Sequence, residues 1–304
     1  MEISRRDFLR AVAIGGTTLL AGDAGAEEAA PLNCDKTFGV LVDTGVCIGC
    51  RNCEWACQRK NFNPEIDSSS FDDKNVFKEH RRPSALAYTV VNQFHSPEAG
   101  SKSYTMKVQC MHCNQPACVS ACIVGALKKH EQGPVTYDAS RCIGCRYCMI
   151  ACPFQVPAYE YFNALDPQVR KCSFCYDRIV TQGIRPACVE ACPSEALTFG
   201  SRRELIDMAH SRIRAHPERY VDHIYGEHEA GGTSWMYLSP VDFKYTELPD
   251  LPDEPPPMVS ETIQHAIFKQ FIPPLMLYGV LGLIMTALRE KEEKKEGHHE
   301  QSRP

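Results

Sequence analysis

Short runs of alternating apolar and polar residues punctuate the chain and predict a set of brief strands. Gly39–Asp43, Pro134–Asp138 and Leu197–Gly200 read as such strands, and Ala85–Phe94 pairs with Tyr104–Gln109 as a hairpin around His95 to Ser103. A helical period runs over Arg202–Ala215, with Leu205, Met208, Ala209 and Ile213 on one face. Between these segments lie cysteine-rich runs, expected to form tight loops that open into short helices. Pro240 to Met258 holds Pro249, Pro252 and Pro255-Pro256-Pro257, a density that excludes regular helix and predicts an extended linker. Beyond it, Phe271–Leu288 is an 18-residue stretch with no charge. As a helix it measures about 27 Å, just enough to span a bilayer core. A buried core helix is the competing reading. Position near the C-terminus and the abrupt switch to Arg289-Glu290-Lys291 favour a lipid anchor, and Pro273 and Pro274 fall in the first turn, where proline costs a helix least.

The N-terminus has the order of an export signal. Ser4-Arg5-Arg6-Asp7-Phe8-Leu9-Arg10 precedes a mildly apolar run from Ala11 to Leu20, and Ala24-Gly25-Ala26 supplies a small-residue cleavage site. The paired arginines before Phe-Leu resemble the twin-arginine signal, whose substrates cross the membrane already folded. At the other end, Arg289, Lys291, Lys294 and Lys295 place the exit side of the anchor in the cytoplasm, although Glu290, Glu292, Glu293 and Glu296 leave the tail near neutral. The expected organisation is a signal over 1–26, a cysteine-rich body over 27–240 and a Pro-rich linker over 241–266. A transmembrane anchor over 267–289 and a charged cytoplasmic tail over 290–304 complete it. The body then sits at the periplasmic face of a bacterial inner membrane.

Composition narrows the chemistry. Of 304 residues, 23% are charged and 43% apolar, as in ordinary folded proteins, and a net charge of −5 argues against nucleic acid as a partner. The 17 cysteines are the departure, and sixteen of them fall into four groups. Cys47, Cys50, Cys53 and Cys57 are spaced C-x2-C-x2-C-x3-C, and Cys142, Cys145, Cys148 and Cys152 repeat that spacing before Pro153. Cys110, Cys113, Cys118 and Cys122 are spaced C-x2-C-x4-C-x3-C, whereas Cys172, Cys175, Cys188 and Cys192 follow C-x2-C-x12-C-x3-C before Pro193. Disulfides suit an exported chain, yet cysteines two residues apart pair poorly with each other. Structural zinc uses two separated pairs and not three thiolates at two-residue steps. The run C-x2-C-x2-C-x3-C-P belongs to bacterial ferredoxins, where three thiolates hold one 4Fe-4S cube and the fourth serves the other cluster. An internal repeat agrees: Cys47-Ile48-Gly49-Cys50-Arg51 is restated by Cys142-Ile143-Gly144-Cys145-Arg146, and Pro116-Ala117-Cys118-Val119 by Pro186-Ala187-Cys188-Val189. Gly49 and Gly144 suit loops that fold tightly and aim amides at sulfur.

On these motifs, residues 35 to 240 resemble the four-cluster ferredoxin subunits of membrane-bound respiratory oxidoreductases. The resemblance implies an α+β fold of two interleaved 2[4Fe-4S] ferredoxin-like modules plus one C-terminal transmembrane helix. It also implies four ligand sets. The first is Cys47, Cys50, Cys53 and Cys192, and the second is Cys57, Cys172, Cys175 and Cys188. The third is Cys110, Cys113, Cys118 and Cys152, and the last is Cys122, Cys142, Cys145 and Cys148. The nitrate-reductase branch has tryptophan at the position of Cys113 and holds a three-iron cluster there, so Cys113 implies four 4Fe-4S cubanes. Gln58 and Ile123 depart from the proline that commonly follows the fourth cysteine, which bears on cluster exposure and not on ligand number. Within the family the chain is most similar to the electron-transfer subunit of hydrogenase-2-type nickel–iron uptake hydrogenases. Those subunits carry their own twin-arginine signal and a single C-terminal helix. Gln109-Cys110-Met111-His112-Cys113 and Ser260-Glu261-Thr262-Ile263-Gln264-His265 share that likeness, whereas Tyr225 to Tyr237 occurs in the formate dehydrogenase branch too.

The implied function is an electron wire without a catalytic site of its own. Its partners would be a hydrogenase small subunit and an integral-membrane quinone-reactive subunit. The runner-up is the same wire serving a molybdopterin catalytic subunit of formate dehydrogenase, polysulfide or nitrite reductase type, and a cysteine-rich zinc or disulfide structural protein is the alternative of another class. Arg51, Arg59, Lys60, Arg141, Arg146, Arg170 and Lys171 flank the motifs as candidate tuning cations, against a default of solvated surface charge. His112 is a candidate hydrogen-bond donor to cluster sulfur, with surface or packing as the other reading. His265 reads as an interfacial polar residue, Cys34 as an unpaired thiol, and His298 and His299 as part of a solvated tail.

Overall fold

In the computed structural model the described residues are 37–97, 100, 102–258, 278–286 and 289. The chain divides into two units, Met1–Asn33 and Cys34–Pro304, and every described residue belongs to the second. The expected signal over 1–26, Cys34, His265 and the tail over 290–304 lie outside the described residues.

Strand β1 (Phe38–Asp43) is almost wholly buried, and its alternating side chains serve two cores. Val40 and Val42 face one cluster of buried residues, and Leu41 faces the other. β1 runs antiparallel to β8 (Leu197–Ser201) and parallel to β9 (Trp235–Leu238), in the order β8-β1-β9. β9 repeats the division: Trp235 and Tyr237 join Val40 and Val42, while Met236 and Leu238 join Leu41. The second core is completed by helix α5 (Arg202–Ala215) through Leu205, Ala209 and Ile213. Met208, expected on the same face, is 37% exposed. The buried stripe follows the i, i+4 positions 205, 209 and 213, and residue 208 lies to its side. Arg202 ties this helix to the start of β9 by donating from Nε to the Thr233 carbonyl at 2.7 Å.

The hairpin is present as β2 (Thr89–His95) and β3 (Ser103–Gln109), antiparallel from Thr89↔Gln109 to His95↔Ser103. Val90, Phe94, Tyr104, Met106 and Val108 put it on the first core. Two further strand pairs are short. β4 (Leu127–Lys129) pairs with β5 (Val135–Tyr137), and β6 (Ala158–Tyr159) with β7 (Val169–Arg170). The cysteine runs open into four helices: α1 (Asn52–Asn61), α2 (Ala117–Ser120), α3 (Tyr147–Ala151) and α4 (Ala187–Glu190). Mixed strand and helix content is therefore observed as expected.

Residues 241–258, expected as an extended linker, have irregular backbone but are packed on the body. Val241, Phe243 and Leu248 are buried in the first core, and the carbonyls of Pro252 and Asp253 accept the amides of Ala230 and Gly231 at 2.8 and 2.7 Å. The apolar residues among the prolines supply burial that a free spacer lacks. Of the expected anchor over 267–289, only 278–286 and Arg289 are described. They are helical, and no helix among the described residues is long and apolar enough to cross a membrane.

Candidate functional site

Each cysteine run is shaped by left-handed backbone. Gly49 and Gly144 have φ of +64° and +70°, and Arg51 and Arg146, each the next residue but one, have φ of 67° and 62°. The repeat seen in sequence is thus a repeat of conformation. A Cβ on Gly49 would come within 2.9 Å of Thr105 Cγ2, and one on Gly144 within 3.0 Å of the Tyr159 hydroxyl, so glycine is needed twice over. After each turn the chain enters a helix, and the C-x3-C spacing sets two thiols one helical turn apart on one face. Cys53 and Cys57 ride on α1, which packs against α4 with Cys188 and Cys192 at its end. α2, with Cys118, packs in the same way against α3, with Cys148.

This packing gathers the sixteen described cysteines into four sets. Cys47, Cys50, Cys53 and Cys192 line one cavity, and Cys57, Cys172, Cys175 and Cys188 line a second. Cys110, Cys118 and Cys152 surround Cys113, while Cys122, Cys142 and Cys145 surround Cys148, each close enough to oppose its ionisation. Cys53, Cys172, Cys188 and Cys110, from the first three sets, share one core, and Cys118 of the third set shares another with Cys148 of the fourth. The third set thus links the fourth to the first two in one series. Its last member reaches the surface: Cys145 is exposed, and Ile123, Ile143, Tyr147 and Ile150 around it are each more than half exposed.

Burial makes several of the thiols hard to ionise. Burial, reinforced for most of them by neighbouring thiols, pushes Cys53, Cys57 and Cys113 well up, Cys118 to about 12, and Cys148, Cys172 and Cys175 to about 11. All sixteen are free thiols, so no disulfide joins them. Nor do three or more His, Cys, Asp or Glu side chains among the described residues converge on a single metal ion. Thiols gathered in fours, yet too open for one ion, fit a polynuclear iron–sulfur cluster. Donors suited to sulfur are in place. Thr105 Oγ1 lies 3.2 Å from Cys47 Sγ and Asn61 Nδ2 lies 3.5 Å from Cys57 Sγ. The amides of Phe174, Ala126 and Gly144 donate to Cys172, Cys122 and Cys142 at 3.3, 3.2 and 3.4 Å, and those of Phe154, Gln155 and Val156 face Cys152. Trp235, which lines the second cavity, has a buried Nε1–H with no protein acceptor. Sulfide or thiolate of a bound cluster would supply one.

The candidate tuning cations separate into different roles. Arg51 is buried and bonded to Glu54 at 2.9 Å and to the Phe71 and Asp73 carbonyls at 3.1 Å, which makes it a strut of the loop. Lys60 pairs with Asp177 at 3.0 Å, Arg141 with Asp138 at 3.5 Å, and Arg170 with Glu160 at 2.5 Å. Arg59 lies over Trp55, and Arg146 over Tyr159 and Tyr161. Lys171 is buried and donates to the Val135 and Cys172 carbonyls. His112 is fully buried and stacks on Phe174, with Nδ1 accepting the Val135 amide at 2.9 Å. Burial and the cations of Lys171, Lys129 and Lys107 hold its pKa well below the usual value, so it is a neutral ring with a proton on the unpartnered Nε2. Sequence reasoning missed Lys107, Lys129, Thr105 and Trp235. The available signal was a lysine inside the otherwise apolar run Met106 to Val108, just ahead of Cys110.

Residues 102–202 match the 4Fe-4S dicluster domain family. A protein of Nitratidesulfovibrio vulgaris is 48% identical over 248 residues, covering 80% of this chain and 66% of that protein, just under two thirds of its length. The hydrogenase-2 operon protein HybA of Escherichia coli is 34% identical over 332 residues, covering 98% of both chains. The iron-sulfur subunit of the nitrate-inducible formate dehydrogenase of Escherichia coli is 31% identical over 275 residues, covering 86% of this chain and 89% of that one. With cysteine sets that fit iron–sulfur clusters and relatives matched along nearly the whole length, the chain belongs to the family of ferredoxin-type iron–sulfur electron-transfer subunits that includes HybA.

Proposed function

We propose that each of the four cysteine sets binds one 4Fe-4S cubane and that the chain relays electrons between a periplasmic nickel–iron hydrogenase and a quinone-reactive membrane subunit. The observation that carries this reading is packing: Cys53, Cys172 and Cys188 of the first two sets share one core with Cys110 of the third, and Cys118 of the third shares another with Cys148 of the fourth. When bound, a cubane stores and passes on one electron. The chain itself fixes the spacing through paired helices, limits water by burying five of the thiols and half-burying ten more, and supplies N–H and O–H donors to sulfur. HybA supports a hydrogenase partner, because that match runs the full length of both chains. The formate dehydrogenase subunits support the second reading, a molybdopterin catalytic partner. Export by the twin-arginine route, an anchor over 267–289 and a body on the periplasmic face belong to the same reading and rest on the sequence features alone.

Anaerobic purification with iron and acid-labile sulfide analysis tests the wire, and four cubanes predict about 16 of each per chain. Stoichiometric zinc without sulfide would overturn it. Nickel in the subunit that co-purifies after gentle detergent extraction supports the hydrogenase reading, and molybdenum there would replace it with the second. Cys192→Ser tests the ligand sets: EPR should show the cluster of Cys47, Cys50 and Cys53 disturbed. A change confined to the cluster of Cys57, Cys172 and Cys175 would show that the set is wrong.

A further inference from the structure

Lys107, on β3, reaches both of the first two cysteine sets. Its side chain lines the cavity of Cys57, Cys172, Cys175 and Cys188 and also that of Cys47, Cys50, Cys53 and Cys192. The residue is 2% exposed. Its Nζ donates to Gln109 Oε1 at 2.9 Å and lies 4.4 Å from the centre of the Trp235 ring. Gln109 in turn donates from Nε2 to the Tyr237 hydroxyl at 2.8 Å, and that hydroxyl donates to the Lys107 carbonyl at 2.9 Å. This closed ring of three residues holds the ammonium in one place.

No carboxylate pairs with Lys107 among the described residues, and no backbone carbonyl accepts from its Nζ. Half-buried Lys129 and buried Lys171 differ. Lys129 donates to the His112 and Gly133 carbonyls at 3.1 and 2.6 Å, and Lys171 donates to those of Val135 and Cys172, so both brace loops. A buried ammonium with neutral neighbours alone tends to lose its proton. With no carboxylate beside it, Lys107 has only the two cysteine sets whose cavities it lines to balance its charge, Cys57, Cys172, Cys175 and Cys188 on one side and Cys47, Cys50, Cys53 and Cys192 on the other. A cubane with four thiolates is anionic and grows more so on reduction, so a nearby fixed cation favours the reduced form and raises the reduction potential.

We propose that Lys107 is a shared counter-charge, one buried cation that raises the reduction potentials of the first and second clusters together. The inference rests on the four-cluster reading. Its test is an EPR-monitored redox titration of the full chain as Lys107→Met, which removes the charge at similar length, and as Lys107→Arg, which keeps it. Iron and sulfide are measured in each preparation. The expected result for Lys107→Met at unchanged iron content is a fall in two of the four midpoints, with the other two unmoved and Lys107→Arg close to the parent chain. Loss of two clusters in Lys107→Met but not in Lys107→Arg would equally mark the charge as the requirement. Four unmoved midpoints, a uniform shift of all four, or equal damage in both variants would overturn the inference. A parent chain that itself lacks iron and sulfide would instead overturn the wire.

Discussion

At the scale of single residues, charge inside this protein is held by dense local bonding. Glu54 is 4% exposed, and its carboxylate accepts from Arg51 at 2.9 Å, from Arg81 at 3.1 and 2.6 Å, and from the Val91 amide at 2.6 Å. Those bonds clamp the first cysteine loop, through Arg51, to α1 and to strand β2. Removing the negative charge leaves two guanidinium groups facing each other with little water to screen them. Glu54→Gln should cost about 3–5 kcal/mol of stability, the range for breaking a buried ion pair from one side. Anaerobic denaturant unfolding of the cluster-loaded chain measures this, and a loss below about 1 kcal/mol would mean that the site relaxes or hydrates. Lys107 stands apart from this pattern because its counter-charge is the metal centre and not a side chain.

At the scale of elements, the turns before the helices carry the most constraint. Gly49→Ala places a side chain in left-handed backbone, at about 1–2 kcal/mol, and also displaces Thr105, the donor to Cys47. Gly144→Ala meets the end of a tyrosine side chain on a more exposed loop. Thermal unfolding should therefore rank Gly49→Ala below Gly144→Ala, and the reverse order would argue against the Thr105 contact. These turns were legible in the sequence because Cys-Ile-Gly-Cys-Arg occurs twice. Of the nine described strands, β1, β2, β3, β5 and β8 were legible for a similar reason, since each keeps an alternating or continuous apolar run, whereas β4, β6, β7 and β9 were not predicted, three of them being only two or three residues long. The predicted helical face was right at Leu205, Ala209 and Ile213 and wrong at Met208, because apolar character marks a stripe more sharply than its edges. What sequence did not reveal depends on distant residues. Lys107 owes its burial to the meeting of β3 with Trp235 and two cysteine loops. The segment over 241–258 is fixed by contacts of Val241, Phe243 and Leu248 that proline content obscures.

At the scale of the whole molecule, two kinds of core sit on separate sheets, one on β8-β1-β9 and the other on the β4-β5 pair. The layer of β1, β9 and α5 is filled by Leu41, Leu205, Ala209, Ile213, Tyr220, Ile224, Met236 and Leu238, with no cysteine among them. Each leucine, isoleucine and methionine among them contributes about 1.5–3 kcal/mol on burial. The cluster around β4 and β5 is different: its buried members are Cys118, Leu127, Val135, Cys148 and Val169, two of them thiols. Little apolar surface remains to hold α2 and α3 together once their thiols have no shared partner. Chelating the iron should therefore unfold the molecule unevenly. Hydrogen exchange followed by mass spectrometry, before and after anaerobic iron removal, should show protection retained in β1, α5 and β9. It should show protection lost first in α2, α3, β4 and β5, by tenfold or more, or about 1.4 kcal/mol of local opening energy. Uniform loss would mean that the clusters and the sheet form a single cooperative unit. Retention everywhere would mean that the cysteine loops are held by packing alone, contrary to the small apolar content of the core around β4 and β5.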